Sequence, residues 1–277
     1  MIPTRKPIAP GVILHNPEPD LATNLPPHQK KAVLEQTDER TALLIGQTGL
    51  ARLAKARVLV AGLGGVGGIC AEMLARAGVG RIDLLDGDTF VYSNLNRQIL
   101  ATYQSIGQTK AETARARLMS IRSDLTLVSH TKFLAAEEVG DFLHQIQPDW
   151  VADCIDTVTT KSELLIQARQ NGIHTFTALG AGNRTDPTAI RSGMLGDVVG
   201  CGLARVLRQR LRKAGMTLDF PVVYSNQPPK KPAPHERNEA GIRPRAVNGT
   251  ISYMPNIFGS MLAGQIIEAI LADRGPD

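Results

Sequence analysis

A glycine-rich run at residues 62–67 constrains the fold of this chain more than any other feature. It reads GLGGVG and follows residues 57–61 (RVLVA), whose apolar side chains predict a buried strand. A helical pattern over residues 70–77 comes next and ends at Gly78. In this setting the glycines permit a tight turn, a close approach of backbone to phosphates, and contact between helix and strand. The predicted nucleotide-binding glycines are Gly62, Gly64, Gly65 and Gly67.

Beyond this turn, the chain alternates predicted strands and helices. Further strands are predicted at residues 81–86, 125–129, 150–155, 174–178 and 221–225, and helices at residues 110–122, 135–146, 161–171 and 198–214. This alternation predicts an α/β, doubly wound, Rossmann-like fold with a mostly parallel sheet and helices on both faces. Residues 250–253 and 257–271 are predicted to add a C-terminal extension made of a strand and a helix.

Composition divides the 277 residues into a tail and one large domain. Residues 1–28 are rich in proline and polar residues and are predicted to form a flexible tail, which leaves residues 29–277 as the nucleotide-binding domain. Residues 226–247 are proline-rich and charged and are predicted to form a mobile loop. The helical segment over residues 28–56 carries apolar side chains predicted to pack on the core, namely Leu43, Leu44, Leu50 and Leu53.

The cysteine distribution and the absence of targeting signals predict a cytoplasmic protein without a membrane partner. Cys70, Cys154 and Cys201 are widely separated and form no CxxC pair, which argues against a four-cysteine zinc site and a disulfide framework. The basic start of the chain lacks the apolar core of a secretory signal, and no apolar run of membrane-spanning length is evident. Cys201 is predicted to pack rather than react.

Charged and amide side chains follow the glycine turn in an order that favours a triphosphate. Asp86 ends the second strand about 20 residues after the glycines, which suits a bond to ribose hydroxyls. The segment 93–98 (SNLNRQ) supplies Asn94 and Arg97, and Lys110 opens the next predicted helix. Two cations suit the expulsion of pyrophosphate, because negative charge that grows on a leaving group must be met by fixed donors.

A further carboxylate, Asp156, ends the predicted strand at residues 152–156 (ADCID). A carboxylate at this edge of a parallel sheet is well placed for Mg²⁺ that bridges phosphates, although Asp156 could instead cap the next helix. Taken singly, Arg97 and Lys110 could be ordinary surface cations. The glycine turn with Asp86 alone would equally suit an NAD-binding dehydrogenase.

Taken in order, these motifs resemble those of the ThiF/MoeB/HesA superfamily of adenylating enzymes, which includes ubiquitin-activating enzymes. The shared motifs are GLGGVG, LLDGD, SNLNRQ, GxxK and DCID. Within the superfamily, residues 40–46 (RTALLIG), 180–188 (GAGNRTDPT) and 249–255 (GTISYMP) resemble the tRNA threonylcarbamoyladenosine dehydratase branch. The resemblance implies that ATP is bound through its ribose by Asp86 and through its phosphates by Asn94, Arg97 and Lys110. Asp156 is then implied as the Mg²⁺ ligand.

The same resemblance implies an activity and two partners. The carboxylate of threonylcarbamoyladenosine in tRNA would be adenylated with ATP, and an atom of the same side chain would then close a ring with loss of water; proximity makes an enzyme nucleophile unnecessary. Arg40 would reach into the neighbouring subunit's site, so that Arg97, Lys110, Asp156 and Arg40 form the catalytic set of a homodimer. A basic final third suits tRNA phosphates, through Arg205, Arg208, Arg210, Arg212, Lys213, Lys230, Lys231, Arg237, Arg243 and Arg245.

Two alternatives remain open from the sequence. The first is an adenylating activator of a ubiquitin-like sulfur carrier protein or a peptide, which would add sulfur-transfer proteins as partners. The second is a non-catalytic dinucleotide-binding protein, which predicts nicotinamide binding and no release of pyrophosphate.

Replacing Arg97 or Asp156 by alanine is expected to abolish adenylation, because each removes a charge from the predicted triphosphate site. The fold is expected to stay intact in both variants. ATP–pyrophosphate exchange measures the first expectation and circular dichroism the second; a wild-type exchange rate in either variant contradicts the assignment.

Overall fold

The structure, a computed structural model, describes residues 27–231 and 248–273. The helices are α1 (Pro27–Lys55), α2 (Gly67–Ala77), α3 (Lys110–Met119), α4 (Val139–Ile146), α5 (Val158–Gln170), α6 (Gly202–Lys213) and α7 (Tyr253–Ala272). The strands are β1 (Arg57–Ala61), β2 (Arg81–Leu85), β3 (Thr126–His130), β4 (Trp150–Asp153), β5 (His174–Ala178), β6 (Ile190–Met194) and β7 (Pro221–Ser225). Residues 1–26 of the predicted tail and 232–247 of the predicted loop lie outside the described residues, so both remain predictions.

The strands form one seven-stranded sheet in the order β3-β2-β1-β4-β5-β7-β6. The first five strands and β7 run parallel, and β6 pairs antiparallel with β7 at the edge. The predicted mostly parallel, doubly wound sheet is therefore confirmed. Successive strands extend outward from β1 on one side and from β4 on the other. A crevice is expected beyond the carboxyl ends of these two central strands, because the direction of winding changes between them.

Helices cover both faces of the sheet, as predicted. Side chains of a strand alternate between its faces, so Val58 and Val60 of β1 pack with α2, α3 and α7, whereas Leu59 and Ala61 pack with α4 and α5. A third apolar cluster, which includes Leu207, joins α6 to α5 and β7. Both faces of the central strands are buried, which explains their nearly continuous apolar sequences.

The predicted strand at residues 250–253 is wrong, so the C-terminal extension reduces to a helix. The backbone here is tied to neighbouring turns: Thr250 O accepts from Asn96 Nδ2 at 3.1 Å, and Gly249 O accepts from Asn183 N at 2.7 Å. Helix α7 then begins at Tyr253. By length and composition alone α7 could cross a membrane, but it packs against α2 and the sheet and buries Phe258 among other side chains.

The prediction for the leucines of α1 is wrong in part. Gly46 has φ 68° and ψ 176°, which interrupts the helix and separates its first segment from the second. Leu53 on the second segment is fully buried, whereas Leu43 and Leu44 on the first are 81% and 86% exposed. The first segment is held to the domain by an ion pair between Asp38 and Arg122, with Oδ1 and Nη1 2.5 Å apart.

Replacing Gly259 by alanine is expected to destabilise the fold by about 1–3 kcal/mol, because its Cβ would overlap the carbonyl oxygen of Val66 where α7 crosses the start of α2. Gly264 in the same helix is the matched control, since a Cβ there meets nothing within 4 Å. Gly264→Ala is expected to gain about 0.5–1 kcal/mol from helix propensity. Urea unfolding measures both; equal effects of the two substitutions would contradict the close packing of α7 on α2.

Candidate nucleotide-binding site

The register of the central strands brings three predicted site segments to one level. Ala61 at the end of β1 pairs with Leu85 of β2 on one side and with Asp153 of β4 on the other. Strand β1 is followed by the glycine turn, β2 by Asp86, and β4 by the loop that carries Asp156. The site therefore lies at the carboxyl edge of the sheet, where the direction of winding changes.

Close backbone packing explains why the turn after β1 is built from glycines. Gly62 has φ 89°, and a Cβ there would lie 2.9 Å from Cys154 O. A Cβ on Gly67 would overlap the carbonyl oxygen of Gly62. Helix α2 begins at Gly67, directly after this turn, and Gly68 N donates back to Gly64 O at 3.0 Å. The N-terminus of α2, which is the end of a helix that favours anions, therefore lies at the turn.

Asp86 and Lys110 meet at this turn, as predicted from the sequence. Asp86 Oδ2 accepts from the backbone N–H of Leu63 at 2.7 Å, so this carboxylate is joined to the glycine turn itself. Lys110 Nζ lies 4.0 Å from that same oxygen and 2.8 Å from Asp88 Oδ2. Lys110 is buried while Asp88 is half exposed. Asp88 thus holds the ammonium group beside the place where phosphates would lie.

Arg97 and Asn94 lie on a short turn packed over the glycines. A Cβ on Gly65 would be 3.4 Å from Arg97 O, so the backbones approach closely. The Arg97 guanidinium donates to Ser93 O at 2.8 Å and is bonded to its own turn. Asn94 is buried, and its Oδ1 accepts from Val91 N at 3.1 Å. Asn94 therefore orders the turn, and the Arg97 guanidinium is held by that same turn.

Asp156 occupies a loop rather than a strand end. Strand β4 stops at Asp153, and Asp156 is exposed in the loop before α5. Its loop runs beside the glycine turn, because Cys154 N donates to Ala61 O at 2.8 Å. Within residues 27–231 and 248–273, no group of three or more carboxylate, histidine or cysteine side chains could hold a metal. One carboxylate suits Mg²⁺ that arrives with the phosphates, since this ion usually keeps few protein ligands.

Arg40 is not part of this assembly within one chain. It is exposed on the segment of α1 that precedes Gly46. The bonds described in the structure connect it to none of the residues around the glycine turn.

A buried ion pair that the sequence did not predict is bonded to the loop that carries Asp156. Lys161 Nζ lies 2.8 Å from Asp153 Oδ2, and both side chains are fully buried. The same ammonium donates to Ile155 O at 3.1 Å, and Thr177 Oγ1 donates to the Asp153 carboxylate. The only signal in the sequence was an acid at the end of an apolar strand, because nothing local shows that a lysine of α5 turns inward.

An exposed aromatic residue, Phe133, was also missed. It follows β3 and is 73% exposed. Phe133 lies against Gly87: a Cβ on Gly87 would be 2.5 Å from the backbone nitrogen of Phe133 and 2.7 Å from its ring atom Cγ. This places an aromatic ring one residue from Asp86, on the side of the site that faces β3.

The cysteines contribute packing. Cys70 and Cys201 are buried, as predicted for Cys201. A hydrogen bond with the Cys154 thiol, together with burial, raises the pKa of the Cys70 thiol, so this group stays protonated at neutral pH. A thiol in that state is a poor nucleophile.

Fold and site together define a nucleotide-binding α/β protein in which the glycine turn lies beside Asp86, Asp88 and Lys110. The model of the ThiF family matches residues 38–277. The chain belongs to the ThiF family.

Similar proteins support this placement. The tRNA threonylcarbamoyladenosine dehydratase of Bacillus subtilis (strain 168) is 31% identical over 240 residues, which cover 84% of this chain and 94% of the relative. The structure of the Escherichia coli tRNA N6-threonylcarbamoyladenosine dehydratase in complex with ATP is similar with a TM-score of 0.78 and 29% identity, over 87% of this chain and 96% of that one. The molybdopterin-synthase adenylyltransferase of Escherichia coli (strain K12) is 38% identical over 112 residues, 40% of this chain and 44% of the relative.

Replacing Lys161 by methionine is expected to destabilise the fold by about 3–5 kcal/mol, because it leaves the Asp153 carboxylate buried without its partner. Arg76→Met is the matched control: Arg76 is 48% exposed and pairs with Glu72, which keeps Arg117 as a second partner. Its expected cost is below about 1 kcal/mol. Urea unfolding compares the two, and a cost for Lys161→Met as small as the control would contradict a structural role for the buried pair.

Proposed function

We propose that this chain is an ATP-dependent enzyme that adenylates the carboxylate of threonylcarbamoyladenosine in tRNA and then releases a cyclised, dehydrated product. The observation that carries the proposal is the meeting of Asp86, Lys110 and the glycine turn at the carboxyl edge of β1 and β2. The similarity to tRNA threonylcarbamoyladenosine dehydratases supports the proposal, because it extends over most of this chain and most of each relative.

The reaction balances in two steps. A carboxylate oxygen of the substrate attacks the α-phosphorus of ATP, and the bond to the β-phosphate oxygen breaks to release pyrophosphate. An atom of the carbamoyl group then attacks the acyl carbon and loses a proton, while AMP leaves with the former carboxylate oxygen. The net change in the nucleoside is the loss of one water. The second step is intramolecular and needs no enzyme nucleophile, in agreement with the burial of Cys70 and Cys201.

Each site residue has a role in the first step. Asp86 accepts hydrogen bonds from the ribose, and Phe133 forms an aromatic wall for the adenine on the side of β3. Lys110 and Arg97 exchange their present partners, Asp88 and Ser93, for the phosphates and meet the charge that grows on pyrophosphate. Asn94 contributes by holding the turn that carries Arg97.

Magnesium fits as a ligand of the nucleotide. Mg²⁺ carried with ATP would neutralise the charge on the phosphates. The exposed carboxylate of Asp156, on a loop held by Lys161, is the residue that would hold it in the crevice.

A cytoplasmic homodimer is part of the proposal. The exposed Leu43 and Leu44 give the first segment of α1 an apolar surface suited to a second copy, and Arg40 on the same segment would then enter the partner's crevice. The rival function, activation of a sulfur carrier with sulfur-transfer proteins as partners, is favoured by the similarity to the molybdopterin-synthase adenylyltransferase, which covers 40% of this chain.

ATP–pyrophosphate exchange with threonylcarbamoyladenosine-modified tRNA, followed by mass analysis of the nucleoside, tests the proposed function. Exchange with modified tRNA and loss of one water from the nucleoside are expected. Lys110→Met is expected to lower the rate about 100- to 1000-fold, as the loss of one fixed donor to a developing charge does. Lys55→Met, at the opposite edge of the sheet, is the matched control and is expected to keep the wild-type rate.

Other outcomes identify the rivals. Exchange only with a carrier protein supports the sulfur-carrier activator. No exchange with either substrate, together with nicotinamide binding, supports a non-catalytic dinucleotide-binding protein.

A further inference from the structure

A rim of hydrogen-bonded turns borders the nucleotide crevice on the side of α7. Asn96 donates to Thr250 O at 3.1 Å, which joins the turn of Arg97 to the segment before α7. Gly249 N donates to Asn183 Oδ1 at 2.7 Å, and Lys230 N donates to Asn183 O at 2.8 Å. Residues 92–97, 183–185, 230–231 and 249–253 therefore form one connected surface, which we call the rim.

The rim adjoins the glycine turn directly. A Cβ on Gly65 would lie 3.0 Å from the ring of Pro255, two residues beyond the rim. Asn256 Nδ2 donates to Arg97 O at 3.0 Å, so the first turn of α7 also holds the backbone of Arg97. A substrate whose carboxylate approached the phosphates from this side would lie against the rim.

Two exposed tyrosines lie on this surface, whereas a third, Tyr103, which is 82% exposed, lies outside it. The chain has four tyrosines, and Tyr92 and Tyr253 both lie on the rim, 69% and 37% exposed. The Tyr253 hydroxyl donates to Thr185 O at 2.7 Å, which fixes the orientation of its ring. A ring held by its hydroxyl and open to solvent presents a flat apolar face at little cost in conformational entropy.

Cations accompany these rings. Lys230 and Lys231 are exposed, and the backbone bond of Lys230 to Asn183 keeps this pair beside the segment that leads to Tyr253. The Arg97 guanidinium is bonded to the backbone oxygen of Ser93, the residue that follows Tyr92. Aromatic faces combined with cations bind single-stranded nucleic acid, because unpaired bases stack on rings while phosphates pair with the charges.

We infer that the rim binds the unpaired nucleotides that flank the modified adenosine, with bases on Tyr92 and Tyr253 and phosphate on Lys230. This inference rests on the proposed function. A modified base in an RNA loop is presented by unstacked neighbours, and a stacking surface beside the crevice would hold these neighbours while the carboxylate reaches ATP.

The basic face of α6 is a weaker candidate for this role. Arg208 is turned inward, with Nη1 3.1 Å from Leu195 O and 2.5 Å from Val198 O, so it is not available as predicted from the sequence. The exposed cations Arg205, Arg210, Arg212 and Lys213 lie on the face of the sheet opposite α7. Arg237, Arg243 and Arg245 lie outside the described residues.

Binding of an anticodon stem-loop RNA that carries threonylcarbamoyladenosine, measured by fluorescence anisotropy with the full chain, tests the inference. Tyr92→Leu and Tyr253→Leu are each expected to weaken binding about 5- to 150-fold, the range that the loss of one stacked base corresponds to. Tyr253→Phe keeps the ring without the hydroxyl and is expected to stay near wild type. The KM for ATP is expected to be unchanged in all three variants.

Arg212→Ala is the matched control for the other basic surface and is expected to bind the RNA as wild type does. Wild-type binding in both leucine variants, or a loss confined to Arg212→Ala, overturns the inference, as does a wild-type protein that binds no stem-loop. The proposed function fails separately, when wild-type protein binds the RNA but neither exchanges pyrophosphate nor dehydrates the nucleoside. If Tyr253→Phe loses as much RNA affinity as Tyr253→Leu, the loss comes from the hydrogen bond to Thr185 and not from the ring. That result also overturns the inference of stacking.

Discussion

The whole arrangement depends on backbone packing that admits no side chain at the turn between β1 and α2. Gly67 packs on the carbonyl of Gly62, and Gly62 packs on the loop after β4. On the other side, Gly259 lets α7 lie directly on the start of α2. The turn is therefore enclosed by backbone from both sides, and the N-terminus of α2 is held at the level where β1, β2 and β4 end.

The charges around this turn are already paired before a nucleotide arrives. Lys110 is bonded to Asp88, Arg97 to its own turn, and Asp86 to the backbone of Leu63. These pairs keep the cations near the crevice without leaving them unpartnered, which would be costly for a side chain as buried as Lys110. In the proposed reaction, phosphates would replace these partners. The fully buried pair of Lys161 and Asp153 holds the loop of Asp156, because Lys161 also donates to the backbone oxygen of Ile155.

The two sides of the crevice differ in chemistry. The side of β2 and β3 carries a carboxylate and an aromatic ring, Asp86 and Phe133, which suit ribose and base. The side of α7 carries exposed tyrosines and lysines on turns joined by hydrogen bonds, which suit an extended polyanion.

Local patterns in the sequence determined the opening βαβ unit, the doubly wound sheet, and the meeting of Asp86 with Lys110, because strand ends in a parallel sheet share one edge. They did not determine β6, whose residues Arg191 and Ser192 are exposed at the sheet edge and show no apolar run. Thr250 and Ile251 are β-branched like strand residues, yet this segment is bonded to the turns of Asn96 and Asn183 and forms no strand, and α7 begins at Tyr253. Only the tertiary structure brought Phe133 to Gly87 and Tyr92 to the rim with Tyr253, since these contacts join segments far apart in the chain. It also decided the pairing of Lys161 with Asp153, which are only eight residues apart, because the packing of α5 on the sheet turns this lysine inward.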